Sequence, residues 1–177
     1  MLTAGALLAA TYPTPAGKVT VVVDPHAAGD LGPAEYGAVV RSTFGDLDEA
    51  LDRLPGDGRP VRPRSHVPFI REVLQRYADG DLDALDEVSV SQPGGPFQQQ
   101  AWLAMRSIRA GSVDTYAGLA RRAGSPRAAR AAGTVCATNL VPPFIPCHRV
   151  VASNGLGGYG FGLDIKMLLL EHEGVLL

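Results

Sequence analysis

Apolar positions along this chain fall into two regimes, separated by one turn-rich break. In the first, short β-branched runs alternate with helical spacing. Lys18-Val19-Thr20-Val21-Val22-Val23 is a β-branched run of strand length, and Pro13-Thr14-Pro15-Ala16-Gly17 ahead of it is turn material. Tyr36-Gly37-Ala38-Val39-Val40 is a weaker strand candidate, and Met1 to Leu8 reads as a first strand or a loose end. Phe69, Ile70, Val73, Leu74 and Tyr77 recur at helical intervals, with Pro68 placed to start that helix and Gly80 to stop it. The stretch Ser91-Gln92-Pro93-Gly94-Gly95-Pro96 is the clearest linker. It predicts a mixed α/β domain over 1–92 and a second domain over 93–177.

The second domain reads as mainly helical. Phe97, Ala101, Trp102, Met105 and Ile108 form one apolar stripe. Thr115 is placed as an N-cap for a helix over 116–123, with Gly124 just past its end. Ser125-Pro126 then offers a cap followed by proline at the first helical position, the start of another helix. Two short helices joined through Gly124 predict a helix-turn-helix. Asp164 opens a last helix, 165–173, closed by Gly174.

Composition narrows the class. Hydrophobic residues make up 46% of the 177, enough for a packed core. No apolar run approaches the roughly 20 residues of a membrane span, so no membrane partner is expected. The opening segment has no basic residue ahead of its apolar stretch and makes a poor secretory signal. Cys136 and Cys147 give neither a disulfide framework nor a CxxC metal pattern, which suits a reducing cytoplasm. His26 and His66 stand alone in a region without cysteine, so no metal site is expected.

Charge changes the picture more. The net of −2 hides a strong asymmetry: residues 1–100 carry 8 basic and 14 acidic side chains, whereas 101–150 carry seven arginines against the single acid Asp114. One face meeting a polyanion, with the rest acidic and soluble, is one reading. A solvated arginine-rich surface is the other.

Candidate chemistry centres on Pro142-Pro143-Phe144-Ile145-Pro146-Cys147-His148-Arg149. Three prolines in five residues stiffen the approach to the cysteine and remove backbone donors. A free thiol ionises near a pKa of about 8.5, so little thiolate exists at neutral pH. Lowering that value by about two units requires roughly 3 kcal/mol, much of which one charge-assisted partner such as a neighbouring imidazole can supply. On these residues alone a reactive thiol and a buried structural cysteine with an incidental histidine both remain open.

Pro146-Cys147-His148-Arg149-Val150 is similar to the active-site signature of the O6-alkylguanine-DNA alkyltransferases. Other segments follow that family's order: Phe97-Gln98-Gln99-Gln100-Ala101-Trp102, Thr115-Tyr116-Ala117-Gly118-Leu119-Ala120 and Pro126-Arg127-Ala128-Ala129-Arg130-Ala131 upstream, Asn154-Gly155, Gly158-Tyr159 and Lys166 to Glu173 downstream. The resemblance spans 97–174. The N-terminal half matches chiefly at Thr14-Pro15-Ala16-Gly17, and the resemblance implies a small α/β domain built on an antiparallel sheet there.

What the resemblance implies is direct DNA repair: irreversible transfer of an alkyl group from O6-alkylguanine to Cys147, once per molecule and without a cofactor. His148 would act through a bound water as the base, Glu173 would orient the imidazole, and Asn139 would bridge the active-site turn and the recognition helix. Independently, Glu171 and Glu173 fall in a final helical turn, where the macrodipole disfavours negative charge, so a cationic partner is expected. Arg130 would enter the stack where the target nucleotide leaves, while Ala129 and its alanine neighbours keep the helix slim and Arg127 lies within reach of phosphate. Tyr116, the Val150 carbonyl, Tyr159 and the Gly160 amide would line the pocket for the flipped base. Cys136 reads as packing. Partner and state would be double-stranded DNA, gripped through its minor groove by a protein monomeric when free.

Two departures from the family pattern stand beside this. Leu140 follows Asn139 where proline is usual, and the loop Asn154 to Tyr159 is one residue shorter than usual, which bears on pocket width. A non-catalytic damage-binding relative is an alternative function, opposed by Cys147 itself. A cysteine hydrolase is another, but its base normally comes from a distant part of the chain.

Overall fold

The computed structural model describes residues 5–29 and 36–176, and within it the chain divides into two compact units, residues 1–93 and 94–177. The expectation for Met1 to Ala4 lies outside the described residues; a strand begins at Leu7. Among the described residues no helix is long and apolar enough to cross a membrane.

In the first unit, β1 (Leu7–Thr14) and β2 (Gly17–Asp24) form a hairpin closed by Pro15-Ala16. The Thr14 side chain ties the turn, donating to the Gly17 carbonyl at 2.6 Å and accepting from the Ala16 amide at 3.1 Å. After β3 (Ala38–Thr43) come α1 (Leu47–Asp52), β4 (Val61–Pro63) and α2 (Pro68–Ala78). The sheet order is β3-β2-β1-β4. Its first three strands are antiparallel, but β4 pairs parallel with β1, so the sheet is mixed rather than antiparallel. A parallel partner needs a crossover, and the chain from β3 through α1 provides it. The continuous burial of Val19 to Val23 follows from helices on both faces: α1 packs on the side carrying Leu7, Ala9 and Val22, while α2 lies against β1.

The second unit begins with α3 (Pro96–Arg106), whose stripe of Ala101, Trp102 and Met105 is buried, with Ile108 buried just beyond. A two-residue strand β5 (Asp114–Thr115) leads into α4 (Tyr116–Arg122), capped by the Thr115 hydroxyl accepting from Gly118 N at 3.0 Å. The next helix, α5, spans Ala129–Ala137, so Ser125-Pro126 does not start it. Those residues make a turn closed by the Ala128 amide on the Ser125 carbonyl at 2.9 Å. Proline suits the second position of such a turn as well as the first position of a helix, so the local signal was ambiguous. Ala128 then departs from helical geometry, with ψ at 34°, before α5 begins.

The proline-rich segment follows α5. Phe144 and Ile145 are fully buried, and each contributes about 1.5–3 kcal/mol of hydrophobic stabilisation. They anchor a 3-10 turn, Cys147–Arg149, that runs into β6 (Val150–Val151), paired parallel with β5. The last helix, α6 (Leu163–His172), starts one residue before Asp164, and Glu173 is its C-cap rather than its final turn.

Candidate active site

Cys147 occupies the first position of the 3-10 turn and is buried. Asn139, two residues past α5, holds it there. One amide hydrogen donates to the Ile145 carbonyl at 2.9 Å and the other to Cys147 Sγ at 3.2 Å, while Oδ1 accepts from Val141 N at 3.2 Å. A single side chain thus fixes the turn and the sulfur together. No described non-glycine residue has positive φ, so Asn139 is not a left-handed cap, and Leu140 in place of proline leaves this clamp intact. Burial pushes the Cys147 thiol up; the Asn139 amide, the Lys166 ammonium and nearby Tyr159 oppose this without reversing it. The resting sulfur is therefore a thiol.

His148 is completely buried. Its Nε2 lies 2.9 Å from Glu173 Oε1. Burial alone would raise the Glu173 carboxyl, but His148 and Arg149 beside it reverse that and hold it down to about 2. A carboxylate can only accept, so Nε2 carries the hydrogen. Burial meanwhile lowers the basicity of the imidazole, with Glu173 opposing and Arg149 and Lys166 adding to the fall. The neutral ring thus has its lone pair on Nδ1, and Nδ1 has no protein hydrogen-bond partner. A buried imidazole with a fixed tautomer and an unengaged basic nitrogen, next in sequence to a thiol, is equipped to take a proton.

Sequence reasoning missed two residues here. Arg149, 2% exposed, grips Glu173 with both prongs: Nε to Oε2 and Nη2 to Oε1, each at 2.9 Å, while Nη1 donates to the Ile108 carbonyl at 2.8 Å. It is the permanent cation that a glutamate at a helix C-terminus requires. Lys166 is also buried, its Nζ donating to the carbonyls of Val150 (2.7 Å), Leu156 (2.6 Å) and Gly158 (3.0 Å). It straps the loop 150–158 to α6. Both sat in the motif runs, but sequence does not distinguish a buried cation from a solvated one.

The other residues singled out by sequence divide into two groups. Tyr116, half-buried at the start of α4, packs its hydroxyl against Gly157, whose φ is +72°; a Cβ there would stand 2.6 Å from that hydroxyl. Tyr159 sits in the same loop with the Lys166 ammonium 5.9 Å from its ring centre. Val150 O is taken by Lys166, as above, and Gly160 is exposed. Arg130 and Arg127 are exposed at the start of α5 and in the turn before it, with Ala129 half-buried between them. These three stand apart from the buried network. Cys136 is half-buried, and burial pushes its thiol up.

Residues 96–175 match the family model described as 6-O-methylguanine DNA methyltransferase, DNA binding domain. The chain is 41% identical over 109 residues to a methylated-DNA–protein-cysteine methyltransferase of Salmonella typhimurium, spanning 61% of this chain and 64% of that relative. It is also 41% identical over 130 residues to one of Methanosarcina mazei, covering 71% and 78% respectively. A solved structure of Mycobacterium tuberculosis OGT in complex with DNA superimposes with a TM-score of 0.67 at 27% identity, over 94% of this chain and 92% of that one. The Pyrococcus kodakaraensis O6-methylguanine-DNA methyltransferase gives 0.68 at 26% identity, over 96% and 99%. The chain belongs to the methylated-DNA–protein-cysteine methyltransferase family.

Proposed function

We propose that the chain repairs O6-alkylguanine in double-stranded DNA by moving the alkyl group irreversibly to Cys147. The observation that carries this reading is the fixed tautomer of His148: Glu173 holds Nε2–H and leaves Nδ1 basic, beside a thiol clamped by Asn139. Nδ1 takes the thiol proton through a water, and the thiolate attacks the alkyl carbon. The S–C bond forms as the C–O6 bond breaks, its electron pair stays on guanine, and the proton released by the thiol restores the neutral base. The thioether is stable, so each molecule acts once and no cofactor enters.

DNA is bound through the helix-turn-helix formed by α4 and α5, in the minor groove, with the target nucleotide extruded. Arg130 fills the gap left in the stack, Arg127 contacts phosphate, and Ala129 permits close approach. Of the seven arginines in 101–150, Arg149 is buried on Glu173 and Arg122 pairs with Asp114 at 2.5 Å, so the footprint is smaller than the sequence count. Tyr116, Tyr159, the Gly160 amide and the Val150 carbonyl receive the base; that carbonyl keeps a second lone pair beside Lys166. Residues 1–92 support this unit, and the free protein is a monomer.

A duplex bearing one O6-methylguanine, incubated with the protein and then digested to nucleosides, tests the reaction. Conversion to guanine in proportion to protein, absent with Cys147→Ser, is expected. Undiminished conversion by Cys147→Ser would remove the nucleophile assignment.

A further inference from the structure

Two basic side chains bond the Glu173 carboxylate, and the proton relay from thiol to histidine proposed above accounts for only one of them. Oε1 is shared between His148 Nε2 and Arg149 Nη2, both at 2.9 Å, and Oε2 is occupied by Arg149 Nε at 2.9 Å. All three side chains are at most 3% exposed, so solvent screens none of this. The guanidinium is further aimed by its bond to the Ile108 carbonyl, which ties the cluster to the end of α3.

We propose that Arg149 is a positioning residue for alkyl transfer: by neutralising Glu173 through a two-pronged ion pair, it keeps the buried His148 uncharged, with Nδ1 free to accept the thiol proton. The inference rests on the reading of His148 as the base for Cys147. A buried carboxylate without a permanent cation demands a proton from its remaining neighbour's environment, and an imidazole meets that demand by protonating at Nδ1. Once protonated there, His148 donates from both nitrogens and accepts from neither. With the guanidinium in place the carboxylate needs no second charge, so it orients the ring without charging it. The charged groups acting on His148 are Lys166 from α6, Glu173 at its C-cap and Arg149 from the turn of His148 itself; the two cations both oppose its protonation. Of these two cations it is Arg149 that bonds the shared carboxylate, whereas Lys166 directs its Nζ to three loop carbonyls.

The test has two parts. Nitrogen-15 spectra of the four histidines in the full chain, with His148 assigned by its loss in His148→Gln, report the tautomer and charge directly and need no substrate. In wild type, His148 is expected to stay neutral, Nε2-protonated, at and below neutral pH; in Arg149→Met it becomes charged near neutrality; in Arg149→Lys it stays neutral. Methyl transfer then follows: the acid limb of the rate profile in Arg149→Met moves up by at least one pH unit, about a tenfold loss near pH 6.5 recovered in alkali, and Arg149→Lys returns the limb to the wild-type position. A charged His148 in the wild type at neutral pH overturns the proposal, as does an Arg149→Met profile lowered equally at every pH. Should Arg149→Met fail to fold, Arg149→Gln, which keeps a polar side chain near Glu173 but no charge, takes its place: a charged His148 near neutrality is expected, and a neutral one overturns the proposal. If alkyl transfer itself were absent, those spectra would be unchanged, which separates this inference from the reaction it rests on.

Discussion

Acidification should unlock the second unit through one carboxylate. Glu173 ionises in the folded chain at about 2 against an ordinary 4.5. A depressed folded value means the unfolded chain binds the proton more readily, so the resulting stability is present above 4.5 and lost as pH falls towards 2. The shift corresponds to roughly 3 kcal/mol at neutral pH, of which about 2 kcal/mol has gone by about pH 3. Glu173 is completely buried at its side chain, so little of this is lost to solvent screening. His148 acts in the same direction but earlier: its lowered value removes stability as pH falls below its ordinary 6.5. Urea unfolding at about pH 7, 4.5 and 3 resolves the two windows. The only tryptophan, Trp102, is buried in the second unit and reports that unit's unfolding by fluorescence. The carboxyl carbon of Glu173, assigned by its loss in Glu173→Gln, is titrated alongside. A carboxyl that titrates near 4.5, or stability unchanged between about pH 4.5 and 3, would refute the reasoning.

Four further outcomes are expected. Lys166→Met leaves the carbonyls of Val150, Leu156 and Gly158 without their donor; two face a half-exposed loop and turn to water, so the net loss should be about 2–3 kcal/mol in unfolding free energy, with slower alkyl transfer as the loop loosens. Gly157→Ala puts a methyl 2.6 Å from the Tyr116 hydroxyl at a φ of +72°; it should cost about 1–3 kcal/mol and slow transfer, and a variant as stable and as fast as wild type would exclude Tyr116 from the pocket wall. Arg130→Ala should slow repair of duplex more than reaction with a free modified base, and duplex affinity should fall with salt by a slope of about −0.9 for each phosphate neutralised; equal losses on both substrates would exclude an extrusion role.

How much of this was legible in the sequence depended on whether the signal was local. The valine run of β2, the Pro68 start of α2 and the Thr115 cap of α4 are local, and the structure places elements at each. β4 is three residues long and carries no period, so neither it nor its parallel pairing could be read. Ser125-Pro126 carried a true turn signal that fits two structures, and the residue deciding between them, Ala128, has no distinctive chemistry. At the site, the family resemblance pointed to Asn139, His148 and Glu173, and the structure brings these to the sulfur or to each other. The position of Glu173 at a helix end calls for a cationic partner without saying which one. Arg149 supplies it, and only its burial against Glu173 in the fold makes that visible.

Intact-protein mass measurement after incubation with a duplex containing one O6-methylguanine, followed by peptide mapping, tests the central claim most directly. The account predicts a gain of one methyl group, saturating at one per protein and mapping to Cys147. A protein that binds the same duplex yet gains no mass, or that carries the methyl on Cys136, would contradict it.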